Sequence, residues 1–105
     1  MDIVILGSIK QTIKPFEGIA IKEVKQTAVL TDDHNLQTEN NQIFFDYLII
    51  GDFSLIKSDK QNLMLLEMGF PIVNFYRQTS CENIYYVDGP EALNQALFHI
   101  VDGDL

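Results

Sequence analysis

Three short apolar runs constrain the fold of this chain more than any other feature of its sequence. They cover residues 3–6, 47–50 and 84–87, and a glycine follows each of them within two positions. Runs that are apolar at every position are typical of strands buried on both faces, as the central strands of a parallel sheet are. The sequence therefore predicts an α/β fold built around a small, partly parallel sheet.

The segments between these runs predict an antiparallel meander and two main helices. Residues 19–45 alternate in part and contain two clusters of turn-forming residues, which indicates a meander of three strands. A first helix is predicted over 58–69, because a serine is a good N-cap and a glycine commonly ends a helix. A short strand is predicted at 71–73, and a closing helix with an apolar stripe over 90–103.

Length and charge narrow the class of protein. The 105 residues predict a single domain spanning 1–105. The formal net charge is −8, from 15 acidic and 7 basic residues, and such a negative field repels nucleic acids and anionic membranes. No apolar run approaches the roughly 18 residues that a membrane span requires. The single cysteine, Cys81, excludes an internal disulfide, and together these features predict a cytoplasmic protein.

Two segments carry a resemblance to a known family. Residues 45–53 read FDYLIIGDF, and residues 78–89 read QTSCENIYYVDG. They resemble two elements of thioredoxin-reductase-like flavoproteins, including the ferredoxin–NADP reductases of that type: an aspartate–strand–glycine element after a meander, and a later segment that ends in Gly-Asp. The closing helix is also similar to that of the family. The resemblance covers residues 19–105 and implies the C-terminal half of a FAD/NAD(P)-binding domain of the pyridine nucleotide-disulfide oxidoreductase superfamily.

The chain departs from this family in three ways. It contains no Gly-x-Gly-x-x-Gly phosphate-binding motif and no Cys-x-x-Cys redox pair. The family's Gly-Asp is reversed to Asp88-Gly89, which moves the carboxylate by one position. The sequence therefore predicts a non-catalytic, reductase-derived binding or interaction module without a cofactor. The alternative is a FAD- or NADP-binding component of an oxidoreductase that a dimer or a partner chain completes.

Four residues are candidates for contacting such a cofactor. Gly51 and Asp52 follow the strand at 47–50, and Asp88 and Gly89 follow the strand at 84–87. Ligands of open α/β sheets bind at the carboxyl ends of strands, where Asp88 is placed to bind a ribose or ribityl hydroxyl. Two plainer interpretations stay open: Asp88 caps the closing helix, and Asp52 lies in a solvated loop. A pairing of the two aspartates for acid–base chemistry or magnesium is a further alternative.

An interface is predicted at Phe75, Tyr76 and Arg77, because this aromatic segment follows a short strand and precedes a polar stretch. A homodimer is also predicted. Two helices cover one face of a sheet, and residues 8–18 contain Pro15 and Gly18 and predict no sustained third helix. An apolar face left open favours self-association or a protein partner. The competing interpretation is that residues 8–45 fold back over that face.

The remaining chemically active side chains favour structural roles. Glu82 raises rather than lowers the pKa of the adjacent Cys81 thiol, which argues against a reactive cysteine. His34 lies in a predicted turn beside two aspartates, a donor set too small for zinc. His99 lies near the end of the closing helix, where the helix dipole favours a cation.

Overall fold

The computed structural model describes residues 1–7, 18–57 and 66–104 and has a mixed α/β fold. Its described part contains nine strands, one 3₁₀ helix and one α-helix. In chain order these are β1 (Asp2–Leu6), β2 (Ala20–Val24), β3 (Val29–Asp32), β4 (Asn35–Gln37), β5 (Gln42–Phe44), β6 (Tyr47–Ile50), the 3₁₀ helix (Phe53–Leu55), β7 (Leu66–Glu67), β8 (Phe70–Pro71), β9 (Ile84–Tyr86) and α1 (Pro90–Asp104).

A parallel sheet forms the middle of the molecule. Its strand order is β2-β1-β6-β9, and every neighbouring pair is parallel. The register pairs Ile3 with Tyr47 across β1 and β6, and Leu48 with Ile84 across β6 and β9. The three apolar runs are thus three adjacent strands. Their side chains are apolar on both faces because both faces of this sheet are covered.

Helix α1 covers one face of the parallel sheet. The stripe at Leu93, Ala96, Leu97 and Ile100 is buried, because residues three and four apart project from one side of a helix. It packs against the sheet side chains of Ile3, Ile5, Ile49, Tyr85 and Val87. The predicted closing helix is confirmed, with Pro90 as its first residue.

An antiparallel sheet of β3, β4 and β5 covers the opposite face. Its buried side chains, among them Leu30, Leu36 and Ile43, pack against Val4 and Leu48 of the parallel sheet. The tight turn between β3 and β4 is held by the Asp32 carboxylate, which accepts hydrogen bonds from the His34 backbone amide at 2.7 Å and from the Asn35 side chain. The domain therefore has three layers: antiparallel sheet, parallel sheet and helix.

The predicted meander is correct for its later part and wrong for its beginning. Residues 29–44 form three antiparallel strands. Residues 20–24, however, pair in parallel with β1, in the register Ile3 to Ile21. The alternation of a half-exposed edge strand is the same in either pairing, so the local pattern does not distinguish a hairpin partner from a parallel neighbour.

The predicted helix over 58–69 is wrong where the structure describes it. Residues 58–65 lie outside the described residues, but β7 and β8 form a two-stranded hairpin. Met68 and Gly69, the two residues between the strands, have φ of 53° and 84°. Consecutive positive φ values are incompatible with a right-handed helix and typical of a two-residue hairpin turn. The prediction of two main helices is therefore not confirmed. The strand predicted at 71–73 is limited to Phe70–Pro71.

The two outer layers cover both faces of the parallel sheet. One face of the parallel sheet lies against α1, and the other lies against residues 28–45 and the segment that follows β6. Of the segment 8–45 that was predicted to fold back over the sheet, residues 28–45 supply this cover, residues 20–24 join the edge of the parallel sheet, and residues 8–17 lie outside the described residues. The homodimer was predicted because one face of the sheet was expected to be uncovered, and that reason no longer applies. The oligomeric state itself stays a prediction. None of the helices in the described ranges combines the length and apolarity of a membrane span.

Candidate functional site

The four predicted cofactor-contacting residues lie along one edge of the parallel sheet. Strands β1, β6 and β9 are adjacent and run in the same direction, so the residues that follow them meet at the carboxyl edge. Gly7 ends β1, Gly51 and Asp52 follow β6, and Asp88 and Gly89 follow β9. The chain reverses its strand order at β1, so this edge contains the position at which open α/β sheets bind ligands.

The glycine that ends β1 allows a close backbone approach at this edge. Gly7 has φ of 130°, and a Cβ atom built there would lie 3.0 Å from the Asp52 nitrogen and 3.2 Å from the Gly51 carbonyl carbon. These distances are tighter than most Cβ contacts in proteins, and the φ value is one that only glycine adopts freely. Gly7 therefore serves the packing of β1 against the segment after β6.

The backbone amides at the edge are already used. The amides of Gly51 and Asp52 both donate to the Leu6 carbonyl, at 2.7 and 3.0 Å. Gly7 donates to Val24, and Val87 donates to Ile50, at 2.8 and 2.9 Å. A phosphate cradle needs amides that point at the ligand. These four groups instead extend the hydrogen bonding of the sheet beyond the last residue of each strand.

Asp52 has a local structural role. Its Oδ1 accepts hydrogen bonds from the Ser54 amide at 3.1 Å and from the Ser54 hydroxyl at 2.6 Å, which caps the 3₁₀ helix. Of the three interpretations of Asp52, the loop carboxylate fits these hydrogen bonds, which lie within the loop.

Asp88 stands at the amino end of α1. Its carboxylate is 70% exposed and lies 4.0 Å from Nη1 of Arg77. Pro90 supplies no amide hydrogen, and Glu91 places a second carboxylate in the first helical turn. Acidic groups suit a helix amino terminus, but they repel a phosphate that would bind there.

Tyr86 lies close enough to both predicted aspartates to feel their charge, and it is not among the site residues predicted from the sequence. Burial raises the pKa of Tyr86, and the negative charges of Asp88 and Asp52 raise it further. Its ring stacks on Phe70 at 6.2 Å and meets the edge of Phe53 at 6.0 Å. The edge thus brings together two carboxylates and an aromatic cluster. Within the described ranges, no group of three or more His, Cys, Asp or Glu side chains is arranged to hold a metal ion.

A polar hollow of about 770 Å³ opens at the opposite, amino edge of the sheet. Asn83, just before β9, donates through Nδ2 to the carbonyls of Asp33 and Asp46 and so joins the β3–β4 turn to the start of β6. The His34 ring donates from Nδ1 to the Phe45 carbonyl at 3.0 Å. Asn83 was missed by sequence reasoning, because both of its partners are distant in the chain.

Cys81 also lines this hollow, and its surroundings keep it protonated. Its thiol donates to Oδ1 of Asn83 at 3.3 Å. Burial raises the pKa of Cys81, and the carboxylates of Asp33 and Glu82 raise it further. A nucleophilic cysteine needs a lowered pKa, so this arrangement opposes thiolate chemistry.

Of the three predicted interface residues, Phe75 and Tyr76 line an aromatic groove of about 530 Å³ on the outer side of α1, and Arg77 does not. Phe75 is 83% exposed, and Phe98 of the helix is 53% exposed. Between them, the ring of Tyr76 stacks on His99 with centroids 4.3 Å apart and planes 11° apart. Phe75 in turn meets the edge of Tyr76 at 5.5 Å. We refer to Phe75, Tyr76, Phe98 and His99 as the aromatic groove.

The turn that presents the groove is fixed by the chain around it. The Asn74 side chain accepts hydrogen bonds from the amides of Tyr76 and Gln78, at 2.9 and 3.0 Å. Arg77 has φ of 70°, and its carbonyl accepts from the Tyr86 amide at 3.0 Å, which holds the turn against β9. The aromatic side chains are therefore exposed on a turn that hydrogen bonds to Asn74 and to β9 hold in place.

His99 connects the groove to the core. Its Nδ1 lies 2.7 Å from the hydroxyl of Tyr85, and Tyr85 is buried between α1 and the sheet. Burial, with a smaller effect of Tyr47, raises the pKa of Tyr85 to about 12. His99 was assigned to the helix dipole from its position in the sequence, but its ring acts here as a spacer between Tyr76 and Tyr85.

Comparison with known proteins gives no match, either to a family model, to a curated protein or to a solved structure. The resemblance to flavoproteins is therefore a hypothesis that rests on the residues of segments 45–53 and 78–89. Of the predicted residues, the structure brings Asp52 and Asp88 to one edge, and it brings Phe75 and Tyr76 to one groove.

Proposed function

We propose that this chain is a non-catalytic, reductase-derived interaction module that binds another protein through the aromatic groove. The observation that carries the proposal is the exposure of Phe75 and Phe98 on a stacked, hydrogen-bonded support. Aromatic side chains are enriched at the buried centres of protein interfaces, and a rigid presentation reduces the entropy that binding costs.

The carboxyl edge supports the non-catalytic part of the proposal. The amides of Gly7, Gly51, Asp52 and Val87 are used within the sheet, and carboxylates stand where a pyrophosphate would bind. A dinucleotide needs free amides and a helix amino terminus without competing negative charge. The edge therefore favours packing over nucleotide binding.

One observation favours the alternative, a FAD- or NADP-binding component that a partner chain completes. The two segments that resemble the flavoproteins become the neighbouring parallel strands β6 and β9. The meander covers one face of these strands, and the closing helix covers the other. The order of layers agrees with half of a FAD/NAD(P)-binding domain, and a second chain would have to supply the phosphate-binding motif.

Calorimetry and spectroscopy distinguish the two functions. We expect the purified protein to show no flavin absorbance, and titrations with FAD, NADH and NADPH to give affinities no better than millimolar. Micromolar binding of any of the three would favour the alternative. For the groove, a photo-crosslinking amino acid at position 98 is compared with one at position 44. We expect a discrete adduct from position 98 only, because Phe44 is as exposed as Phe98 but lies on β5.

A further inference from the structure

We infer that the occupant of the aromatic groove is a positively charged protein segment that inserts an apolar side chain between basic residues. This inference rests on the proposed function and specifies the partner of the same surface. It follows from the charges that surround the groove and from the contacts that already engage Arg77, the residue after Tyr76.

The outward face of α1 carries an apolar centre between two acidic ends. Glu91, Gln95, Phe98 and Asp102 are all exposed, and they follow one another at the three- and four-residue spacing that places side chains on one helix face. At a rise of 1.5 Å per residue, Glu91 and Asp102 lie about 16 Å apart along the helix axis. Gln95, Phe98 and Asp102 line the groove itself.

Arg77, the basic residue that follows Tyr76 in the chain, is engaged by two neighbouring side chains. Arg77 lies 4.0 Å from the Asp88 carboxylate through Nη1, and its Nε donates to Oε1 of Gln95 at 3.2 Å. With Arg77 engaged, the exposed carboxylates of Glu91 and Asp102 are, among the residues that the structure describes on this face of α1, the charges available to an incoming partner. The net charge of −8 extends the same negative field around the whole chain.

This electrostatic field selects among the possible occupants. Two copies of this chain docked through α1 would bring Glu91 and Asp102 of both copies close together, and like charges at an interface cost binding free energy. Nucleic acids and anionic membranes meet the same repulsion. A cationic segment gains from the field, both in its rate of encounter and in its affinity.

The aromatic rings specify the rest of the partner. A leucine, methionine or phenylalanine fits between Phe75 and Phe98, where two exposed apolar side chains become buried together. Lysine or arginine residues on either side of it reach Glu91 and Asp102, and a guanidinium also stacks favourably on an aromatic face. The partner segment is therefore apolar at its centre and basic at both ends.

Three fluorescein-labelled peptides test this inference by anisotropy with the full chain. The first has a central leucine stripe with lysines at both ends. In the second every lysine is replaced by glutamate, and in the third the leucines are replaced by serine. We expect binding of the first peptide only, with an affinity that falls as salt is added. Nuclear magnetic resonance should place the shifted amide signals at residues 75–77 and 95–102.

Matched variants assign the binding to the groove. Phe98→Ser is expected to weaken the cationic peptide by about tenfold or more, whereas Phe44→Ser, at an equally exposed phenylalanine on the opposite layer, is expected to leave it unchanged. Asp102→Asn is expected to weaken it about threefold, and Glu39→Gln, at an exposed carboxylate of the meander, is expected to have no effect.

The outcomes separate this inference from the proposed function. If the glutamate peptide binds the groove as well as the lysine peptide does, the charge inference is overturned while the docking surface stands. If Phe44→Ser weakens binding as much as Phe98→Ser, both are overturned. A dimeric mass in sedimentation that Phe98→Ser abolishes would assign the groove to a second copy and overturn the cationic partner. Micromolar FAD binding without peptide binding would overturn the proposed function itself.

Discussion

Truncation of Leu97 tests whether α1 is an integral layer of the domain. Leu97 is 1% exposed and belongs to the cluster formed with Ile3, Ile5 and Ile49 of the sheet. Replacement by alanine removes about three buried carbons at roughly 0.8 kcal/mol each, or about 2.4 kcal/mol of transfer free energy. The cavity left beneath the helix raises the expected loss to about 3–4 kcal/mol of unfolding free energy. For a domain of this size, such a loss is a large part of the total stability.

The adjacent residue supplies the control. Phe98 is 53% exposed on the outward face of the same helix, so Phe98→Ala is expected to cost about 1 kcal/mol or less. Urea denaturation followed by circular dichroism measures both variants, and an unchanged denaturant slope shows that the difference is one of stability. A loss below 1 kcal/mol for Leu97→Ala, or a larger loss for Phe98→Ala, would refute the assignment of the buried face.

Three further predictions concern the backbone, a tyrosine and the thiol. Gly7→Ala should lower the free energy of unfolding by about 3 kcal/mol or more, because its Cβ would lie 3.0 Å from the Asp52 nitrogen. Gly18→Ala is the control: a Cβ at residue 18 has no other atom within 4 Å, so this variant should lose about 1 kcal/mol from backbone strain alone. The pKa of Tyr85 rises on folding to about 12, so its contribution to stability is complete below pH 10 and is lost as the pH rises through 12. Tyr85→Phe should remove this part of the loss of stability at alkaline pH. An unchanged dependence of the unfolding free energy on pH would contradict this prediction. Burial raises the pKa of Cys81, so its reaction with a disulfide reagent near neutral pH should be slower than that of free cysteine, and a faster reaction would contradict the role assigned to it.

The sequence predicted those elements whose burial is evident from the pattern of apolar residues within the element itself. Strands β1, β6 and β9 are covered on both faces, so they are apolar at every position and recognisable without knowledge of their partners. Helix α1 is covered on one side only, and its stripe has the helical period for that reason. In both cases buried positions recur at a regular spacing along the element, so the spacing of apolar residues identifies it.

The errors lie where a distant contact or an unusual backbone angle decides the structure. Nothing in the residues of β2 indicates that its partner is β1 rather than β3. The leucines and methionines before Gly69 fit a helical stripe, and the left-handed conformation of Met68 that closes the β7–β8 hairpin is uncommon for a residue with a side chain.

The residues of the candidate sites were likewise predicted where a local pattern places them and missed where distant contacts do. Asp52 and Asp88 were found because the ends of parallel strands share an edge. Asn83 was missed because its partners lie in other layers. Phe98 was missed although a signal existed: it is an aromatic residue outside the apolar stripe of an otherwise polar helix face.

The strand order of the parallel sheet has a consequence for how the chain folds. Each pair in the sheet joins residues that are distant in sequence, such as Ile3 with Tyr47 and Leu48 with Ile84. Chain entropy is lost in closing these loops before any buried contact compensates for it, which slows folding. The meander of β3, β4 and β5 joins only neighbouring segments and forms its turns quickly. Folding is thus expected to begin in the antiparallel layer of β3, β4 and β5, which contains none of the candidate carboxyl-edge residues. The edge at Gly7, Asp52 and Asp88 is complete only after β9 has joined the parallel sheet.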